Sequence, residues 1–457
     1  MKVSELPYYR DSAALFAKIA DEPWSMFLDS AYPEIDLGRY DIIVGRPMVT
    51  FETNGDTTHI TELFNNKETS SNEDPFLLIK RYLGKKEQNL SSLPFCGGAV
   101  GYFSYDLGRK IEILPEVAKQ DVHMPDMAIG IYDWAVIVDH HQRRSWLASH
   151  CRFERTQEKW GELQTLFSSI SKDIEKEFKI KTDVLSNMSK EDYAKAFDRI
   201  KKYILEGDCY QVNLAQRFSA DFDGNSWSAY LKLRQLNPAP YAAYIHIPMG
   251  CVLSSSPERF LLVTGDQVET KPIKGTRPRS NFAYEDKALA GSLLESEKDR
   301  AENLMIVDLL RNDISKSCET GSVSVPKLFA LETYASVHHL VSTVSGRLTK
   351  EKHAIDLLRN CFPGGSITGA PKYRSMEIIE ELEPHRRSVY CGSIAYIGFD
   401  GNMDSNISIR TLVKYENKLY FHAGGGIVWD SEVDSEYKEC FHKAAAMMKL
   451  FEHEETL

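Results

Sequence analysis

Residues 258–280 read ERFLLVTGDQVETKPIKGTRPRS. The run ERFLLVTGDQVETKPI folds back on itself about Gly265–Asp266, a dipeptide suited to a tight hairpin turn. The second arm, Val268 to Ile273, ends at Gly275–Thr276, and Lys274 stands at that junction. Neighbouring strands joined by a short turn are antiparallel, whereas parallel neighbours need a long crossover between them. The same pattern recurs in WAVIVD (134–139) and SWLAS (145–149), which flank a polar HHQRR turn. Strand runs dominate 209–275: CYQVNLAQRF, YAAYIHI and CVLSSS precede the opening hairpin.

Helical periodicity lies on either side of these strands. From Glu154 to Lys179, Trp160, Leu163, Phe167, Ile170, Ile174 and Phe178 recur at helical spacing. A further helix takes Ser189 as N-cap and stops at Gly207. Helices are predicted at 284–314, 351–361, 371–383 and 434–454, with strands GSIAYIGF, ISIRTLVKY and KLYFHAGGG between the last two. Hairpins with interspersed helices predict an α+β fold with largely antiparallel sheets. The 154–179 helix and the polar KTDVLSNMS stretch (181–189) mark the best boundary, dividing an N-terminal region, 1–180, from a region spanning 187–455.

The 457 residues, 42% hydrophobic, can bury a large core, and the formal charge of −11 argues against nucleic acid or an anionic membrane as partner. The opening MKVSELPYYRDSAALF lacks the apolar core of a signal peptide, and no run of 18 apolar residues occurs, so a cytoplasmic protein is expected. Eight scattered cysteines without a CxxC pair read as reduced thiols, neither a disulfide framework nor a zinc site.

Candidate chemistry begins with two acid pairs, Asp299/Glu302 and Glu436/Glu439, each spaced i, i+3 on a predicted helix. Facing each other, they would offer four hard oxygen ligands suited to Mg²⁺. The plainer alternative is that acids in a first helical turn complement the macrodipole. GGSITGAPK (364–372) and HAGGGIVWDS (422–431) each run toward a helix, with Pro371 at the N1 position, and their backbone N–H groups could form an anion nest. The first is not a P-loop, because Lys372 comes two residues too late. Arg410 and Tyr390, placed on neighbouring strands, could complete a carboxylate clamp. Glu258, beside a turn at Pro257, and His339, in a strand-like apolar stretch, are candidate proton handlers, although such a histidine is more often a core residue. Lys274 itself has two readings: an edge-strand charge that discourages aggregation, with Pro272 in support, or an amine held against a substrate. No nucleophile elbow and no glutaminase-like cysteine context occurs.

In order, PIKGTRPR, KDRAENLMIVDLLRND, HHLVSTVSG, FPGGSITGAPK, GSIAYIGFDGNMD, SIRTL and AGGGIVWDSE resemble the core of the chorismate-utilising enzymes over about residues 190–450. CGGAVGYFSYDLGR (96–109) resembles the N-terminal region of the amine-transferring members. The resemblance implies a layered α/β/β/α core with orthogonally packed sheets and two intertwined subdomains. Family members that add water carry a lysine where this chain has Gln211, so hydration of chorismate is disfavoured. Anthranilate synthases carry alanine where Lys274 stands; a lysine there resembles the branch that aminates carbon 4 of chorismate, with ammonia, through a covalent lysine adduct.

The resemblance also implies the remaining roles. Glu302 and Glu439 match Mg²⁺ ligands with Asp299 and Glu436 beside them. Arg410, Tyr390 and Gly424, Gly425 and Gly426 match the enolpyruvyl carboxylate clamp with Thr368 near it. Glu258 matches the acid at the departing hydroxyl, with His339 as helper. Ammonia is expected from a separate glutamine amidotransferase subunit. FLDS (27–30) and NPAPYAAY (237–244) resemble the walls of a tryptophan pocket that would include Ser30, Pro240 and Tyr241; plain core packing is the alternative. Two rival functions remain at this point: an anthranilate synthase component, and a non-catalytic tryptophan- or chorismate-binding regulator.

Overall fold

Strand Trp134–Asp139 shows how the molecule is layered. All six residues are buried. Trp134, Val136 and Val138 join one apolar cluster, while Ala135 and Ile137 join another. Successive side chains of a strand point to opposite faces, so this strand is covered on both sides. The computed structural model describes residues 1–35, 38–89, 91–171, 176–333 and 337–452.

Among those residues the strands form one sheet of 13 and another of 12. Their ladders are antiparallel, as the hairpin pattern predicts. The first sheet runs from Lys2–Leu6 through Arg144–Ser149, Trp134–Asp139, Tyr40–Val44 and Ser25–Asp29. It continues through Tyr241–Ile247, Gly250–Ser256, Thr411–Tyr415, Lys418–Ile427 and Gln211–Gly224. The second sheet joins Ile273–Pro278, Val337–Arg347 and the 259–270 hairpin to Met403–Asn406, Ser393–Gly398, Gly98–Phe103 and Met127–Tyr132. Both sheets therefore draw strands from the first and the last third of the chain.

The apolar clusters define the stacking. Met26, Ile42, Ala243 and Ile245 of the first sheet meet Val100, Tyr102, Ala128 and Ile394 of the second. On the other face of the first sheet, Phe218 and Phe421 pack with Trp227 and Tyr230 of helix Ser226–Leu236 and Met447 of helix Val433–Lys449. On the other face of the second, Phe51, Phe103 and Ile397 pack with Phe76 of helix Pro75–Leu83 and Val307 of helix Glu297–Ser315. The order is helix, sheet, sheet, helix. Each large apolar side chain so buried contributes about 1.5–3 kcal/mol.

Three local expectations change. The 154–179 helix is two short ones, Glu154–Glu158 and Trp160–Phe167, followed by strand Phe178–Ile180. Only Trp160, Leu163 and Phe167 reach the core; Ile170 is exposed, Ile174 lies outside the described residues, and Phe178 stacks on Phe222 across a strand pair. Helix Ser226–Leu236, capped by Asn225, interrupts a stretch read as strand. Pro371 is the N-cap of helix Lys372–Leu382, one place earlier than N1.

One buried ion pair ties strand Gln211–Gly224 to the turn at Ile367. Arg387 is 2% exposed and Glu383 4%. Their bidentate contact, 2.7 and 2.9 Å, is extended by Arg387 donating to the carbonyls of Ile367 (3.0 Å) and Asn213 (2.9 Å). Glu383 in turn accepts from the Ala215 amide at 2.9 Å. Removing one partner of such a pair strands the other charge in low dielectric, at a cost of about 3–5 kcal/mol. Glu383→Gln should therefore lower the urea unfolding midpoint sharply, whereas the double change Glu383→Leu with Arg387→Met should recover much of the loss.

Candidate active site

The site is built where strand Ile273–Pro278 loses register with Val337–Arg347, between Ile273 and Thr276. Gly275 sits in the break at φ +78°, and a Cβ there would lie 2.8 Å from Leu293 Cδ1 and 2.9 Å from Asp299 Cγ. Such a bulge re-aims the adjacent side chain. Lys274 Nζ donates to Glu302 Oε1 at 2.8 Å and to the Ser366 carbonyl at 3.4 Å.

Glu302 stands on helix Glu297–Ser315, whose N-cap Ser296 accepts from the Asp299 amide. Gln211 Nε2 donates to the same Glu302 oxygen at 2.7 Å. Burial pushes the Glu302 carboxyl up, but the Lys274 charge and the hydrogen bonds from Lys274 and Gln211 outweigh it and hold the pKa below the ordinary value. Gln211 Oε1 is buried with no hydrogen-bond partner. Gly426 makes the crossing possible, because a Cβ there would fall 2.0 Å from Gln211 Nε2 and 3.3 Å from Glu302 Oε1.

At Gly425 the second acidic helix arrives: a Cβ there would lie 3.2 Å from Glu436 Oε2 and 3.5 Å from Glu439 Oε1. Burial raises the Glu436 carboxyl above its ordinary value, and Ser431 Oγ donates to it at 2.7 Å. Lys443 was not anticipated. Its Nζ lies 2.7 Å from Glu439 Oε1 and donates to the Gly424 carbonyl at 3.1 Å. The i, i+4 spacing of Glu439 and Lys443 was the signal available in the sequence. Asp299 turns aside to Arg277 Nη2, 3.0 Å away.

The two acid-bearing helices thus face each other across Gly425–Gly426, with Lys274 and Lys443 balancing Glu302 and Glu439. Among the described residues no three His, Cys, Asp or Glu side chains converge closely enough to enclose a cation. Paired carboxylates without a full protein cage are what Mg²⁺ uses when water and substrate complete its shell.

Glu258, 8% exposed, accepts from Ser366 Oγ at 2.9 Å. Burial raises its pKa above the ordinary carboxyl value; the Ser366 hydrogen bond and the charges of Lys274 and Lys443 offset only part of this. His339 Nδ1 is 2.9 Å from Thr276 Oγ1. Burial, and then the Arg410 charge, push the His339 pKa down to about 4. Arg410, at φ +50°, is desolvated enough to lower its own pKa, and among the described residues no carboxylate counters that burial. Tyr390 stacks on His422, ring centroids 4.9 Å apart.

Several placements differ from expectation. Arg410 lies in the bend before strand Thr411–Tyr415 and Tyr390 in the turn before Ser393–Gly398, so neither is on a strand. The Thr368 hydroxyl donates to the Gly364 carbonyl at 3.1 Å, which fixes its own turn. Gly424 to Gly426 lie inside strand Lys418–Ile427 and pair with Gln211–Gly224, while the helix starts only at Val433. Strand Thr411–Tyr415 reaches only as far as Phe421 on the other side. Free N–H groups at the triplet therefore come from an open strand edge, not from a helix terminus.

A separate cavity of about 230 Å³ is lined by Asp29, Ser30, Tyr40, Pro240, Tyr241 and Asn406, among others. Its two walls meet because Asp29 pairs with Ala242 in the first sheet. Burial raises the Asp29 carboxyl to about 6 although Arg234 Nε lies 2.7 Å away.

The model of the chorismate binding enzyme family matches residues 26–449. The chain belongs to that family. It is 47% identical over 454 residues to aminodeoxychorismate synthase component 1 of Escherichia coli (strain K12), covering 98% of each chain. It is 37% identical over 458 residues to anthranilate synthase component 1 of Acetivibrio thermocellus, covering 96% of this chain and 92% of that one. The crystal structure of anthranilate synthase component I from Streptococcus pneumoniae TIGR4 superposes with a TM-score of 0.80 at 32% identity, covering 90% of this chain and 92% of that chain. The likeness to that structure agrees with the α+β fold of two antiparallel sheets and flanking helices.

The depressed His339 pKa has a sign that can be checked. The folded protein binds fewer protons than the unfolded chain between the folded value of about 4 and the ordinary value of 6.5. This histidine's contribution to stability is thus complete above pH 6.5 and is lost as pH falls toward 4. Its imidazole resonances should stay those of a neutral ring from pH 8 to 5.5, and His339→Asn should flatten the acid limb of a stability profile.

Proposed function

We propose that this chain aminates carbon 4 of chorismate with ammonia, giving 4-amino-4-deoxychorismate for 4-aminobenzoate and folate synthesis, through a covalent adduct on Lys274. The observation that carries this reading is the Lys274 amine, fixed between Glu302 and Ser366 in a site whose carboxyl Glu258 is driven toward its neutral form. An ordinary lysine is protonated near pH 7, so Lys274 must first give up its proton. Its lone pair then bonds to ring carbon 2, both conjugated ring double bonds shift one place toward carbon 4, and the carbon 4–oxygen bond breaks. Glu258 donates the proton that lets the hydroxyl leave as water. Ammonia next bonds to carbon 4, both double bonds return to their places, the lysine nitrogen departs as a neutral amine, and Glu258 recovers a proton from the new ammonium. Splitting one displacement into two allylic steps is the gain from a covalent intermediate.

Arg410, a desolvated cation, supports binding of the enolpyruvyl carboxylate, with Tyr390 and the open edge at Gly424 to Gly426 beside it. Mg²⁺, held by Glu302 and Glu439 with Glu436 and Asp299 nearby, would supply positive charge for the ring carboxylate. Gln211 offers amide groups and no base, which favours ammonia over an activated water. The relatives are called component 1; we assign the second component as a glutamine amidotransferase that supplies ammonia. The cavity at Ser30, Pro240 and Tyr241 has the size and mixed lining for a bound tryptophan. Among the described residues no helix is long and apolar enough to cross a membrane, in keeping with a cytoplasmic site of action.

Incubation with chorismate and Mg²⁺ but no ammonia should add mass to the intact protein at Lys274, and Lys274→Ala should show none. Unmodified protein that still forms product when ammonium is added would sink the covalent route. Glu302→Gln should raise the Mg²⁺ concentration needed for half-maximal rate by about tenfold or more; an unchanged titration removes Glu302 from the metal site. Pyruvate among the products would favour an anthranilate-forming reaction instead.

A further inference from the structure

Ser366 lies in the 3₁₀ turn Gly365–Ile367 and touches both reacting groups. Its Oγ donates to Glu258 Oε1 at 2.9 Å, and its carbonyl accepts from Lys274 Nζ at 3.4 Å. The turn is pressed onto the helix that carries Glu302: a Cβ at Gly365 would lie 2.4 Å from Leu309 Cδ2. On the other side, Arg387 holds the Ile367 carbonyl at 3.0 Å, so the turn is fixed at both ends.

We infer that Ser366 is a positioning residue for the reaction: its hydroxyl decides which Glu258 oxygen carries the proton, and its carbonyl aims the Lys274 lone pair. A carboxylic acid has one carbonyl-type oxygen and one hydroxyl oxygen. An O–H donated to Oε1 makes Oε1 the carbonyl-type oxygen and leaves the proton on Oε2. The same logic applies to the amine. A neutral amine that gives one N–H to the Ser366 carbonyl keeps its lone pair on the other side, away from the turn. One residue thereby couples the orientation of acid and nucleophile. The Ser366 hydrogen bond also works against the burial that raises the Glu258 pKa.

This inference rests on the roles given to Glu258 and Lys274 above, and the experiment separates the two. Kinetics with chorismate and saturating ammonium should be run on Ser366→Ala, Ser366→Cys and Ser366→Thr beside Lys274→Ala and Glu258→Gln. Ser366→Ala and Ser366→Cys should lose about tenfold or more in kcat, with KM for chorismate and the Mg²⁺ titration within twofold. The basic limb of kcat should move to higher pH, because a hydrogen bond that lowers the Glu258 pKa has gone. Adduct formation at Lys274 without ammonia should slow in parallel, and Ser366→Thr, which keeps the hydroxyl, should restore rate and pH profile. If Lys274→Ala and Glu258→Gln are inactive while Ser366→Ala keeps full kcat and an unmoved profile, the inference falls and the proposed function stands. A folded Ser366→Thr no better than Ser366→Ala also overturns it, because volume and not the hydroxyl would then matter. Should Lys274→Ala and Glu258→Gln both stay active, the underlying roles fail first.

Discussion

The Arg387–Glu383 pair is the constraint on which the catalytic end depends. Guanidinium and carboxylate are both almost wholly removed from water, and the interior tolerates them because each finds the other and further backbone partners. Those partners are the backbone of Asn213, Ala215 and Ile367. Strand Gln211–Gly224, which begins at Gln211, and the turn that carries Ser366 are thereby held to one another through a single planar cation. Arg is suited to this in a way Lys is not, since its fork can serve several acceptors at once.

Around that frame the site balances charge locally. The chain is acidic overall, yet Lys274, Lys443 and Arg410 gather where an anionic substrate is proposed to sit. Two of the three cations are paired to glutamates at 2.7–2.8 Å, and Arg410, among the described residues, is left to burial without a carboxylate. The asymmetry is informative. A desolvated cation with no acid partner is costly in isolation, and a ligand carboxylate is the simplest compensation.

Much of this was legible in the sequence. The Gly265–Asp266 hairpin announced antiparallel sheets, and Ser189 and Gly207 bounded their helix as capping rules require. The acid pairs at i, i+3 placed Glu302 and Glu436 with Glu439 on two helices, and whether those helices would face each other was left open. What escaped were features set by tertiary packing. The apolar periodicity after Phe167 was read as helix, but Ile170 stays exposed, and Phe178 finds a better partner in Phe222. The glycine triplet was read as a helix entry, whereas pairing with Asn213, Leu214 and Ala215 draws it into a strand. Lys443 and Ser366 drew no reading from the sequence. Spacing pairs Lys443 with Glu439, but nothing local points to the Gly424 carbonyl, or from Ser366 to Glu258.

The interleaving of early and late strands bears on how the chain folds. Strand Gln211–Gly224 is matched over ten positions by Lys418–Ile427, a segment far downstream in the chain. Until that pairing forms, a 14-residue strand presents an open edge, the kind of surface that recruits wrong neighbours. Closure of this sheet therefore waits on a pairing between segments far apart in sequence, the kind of contact that slows folding relative to the local hairpins beside it.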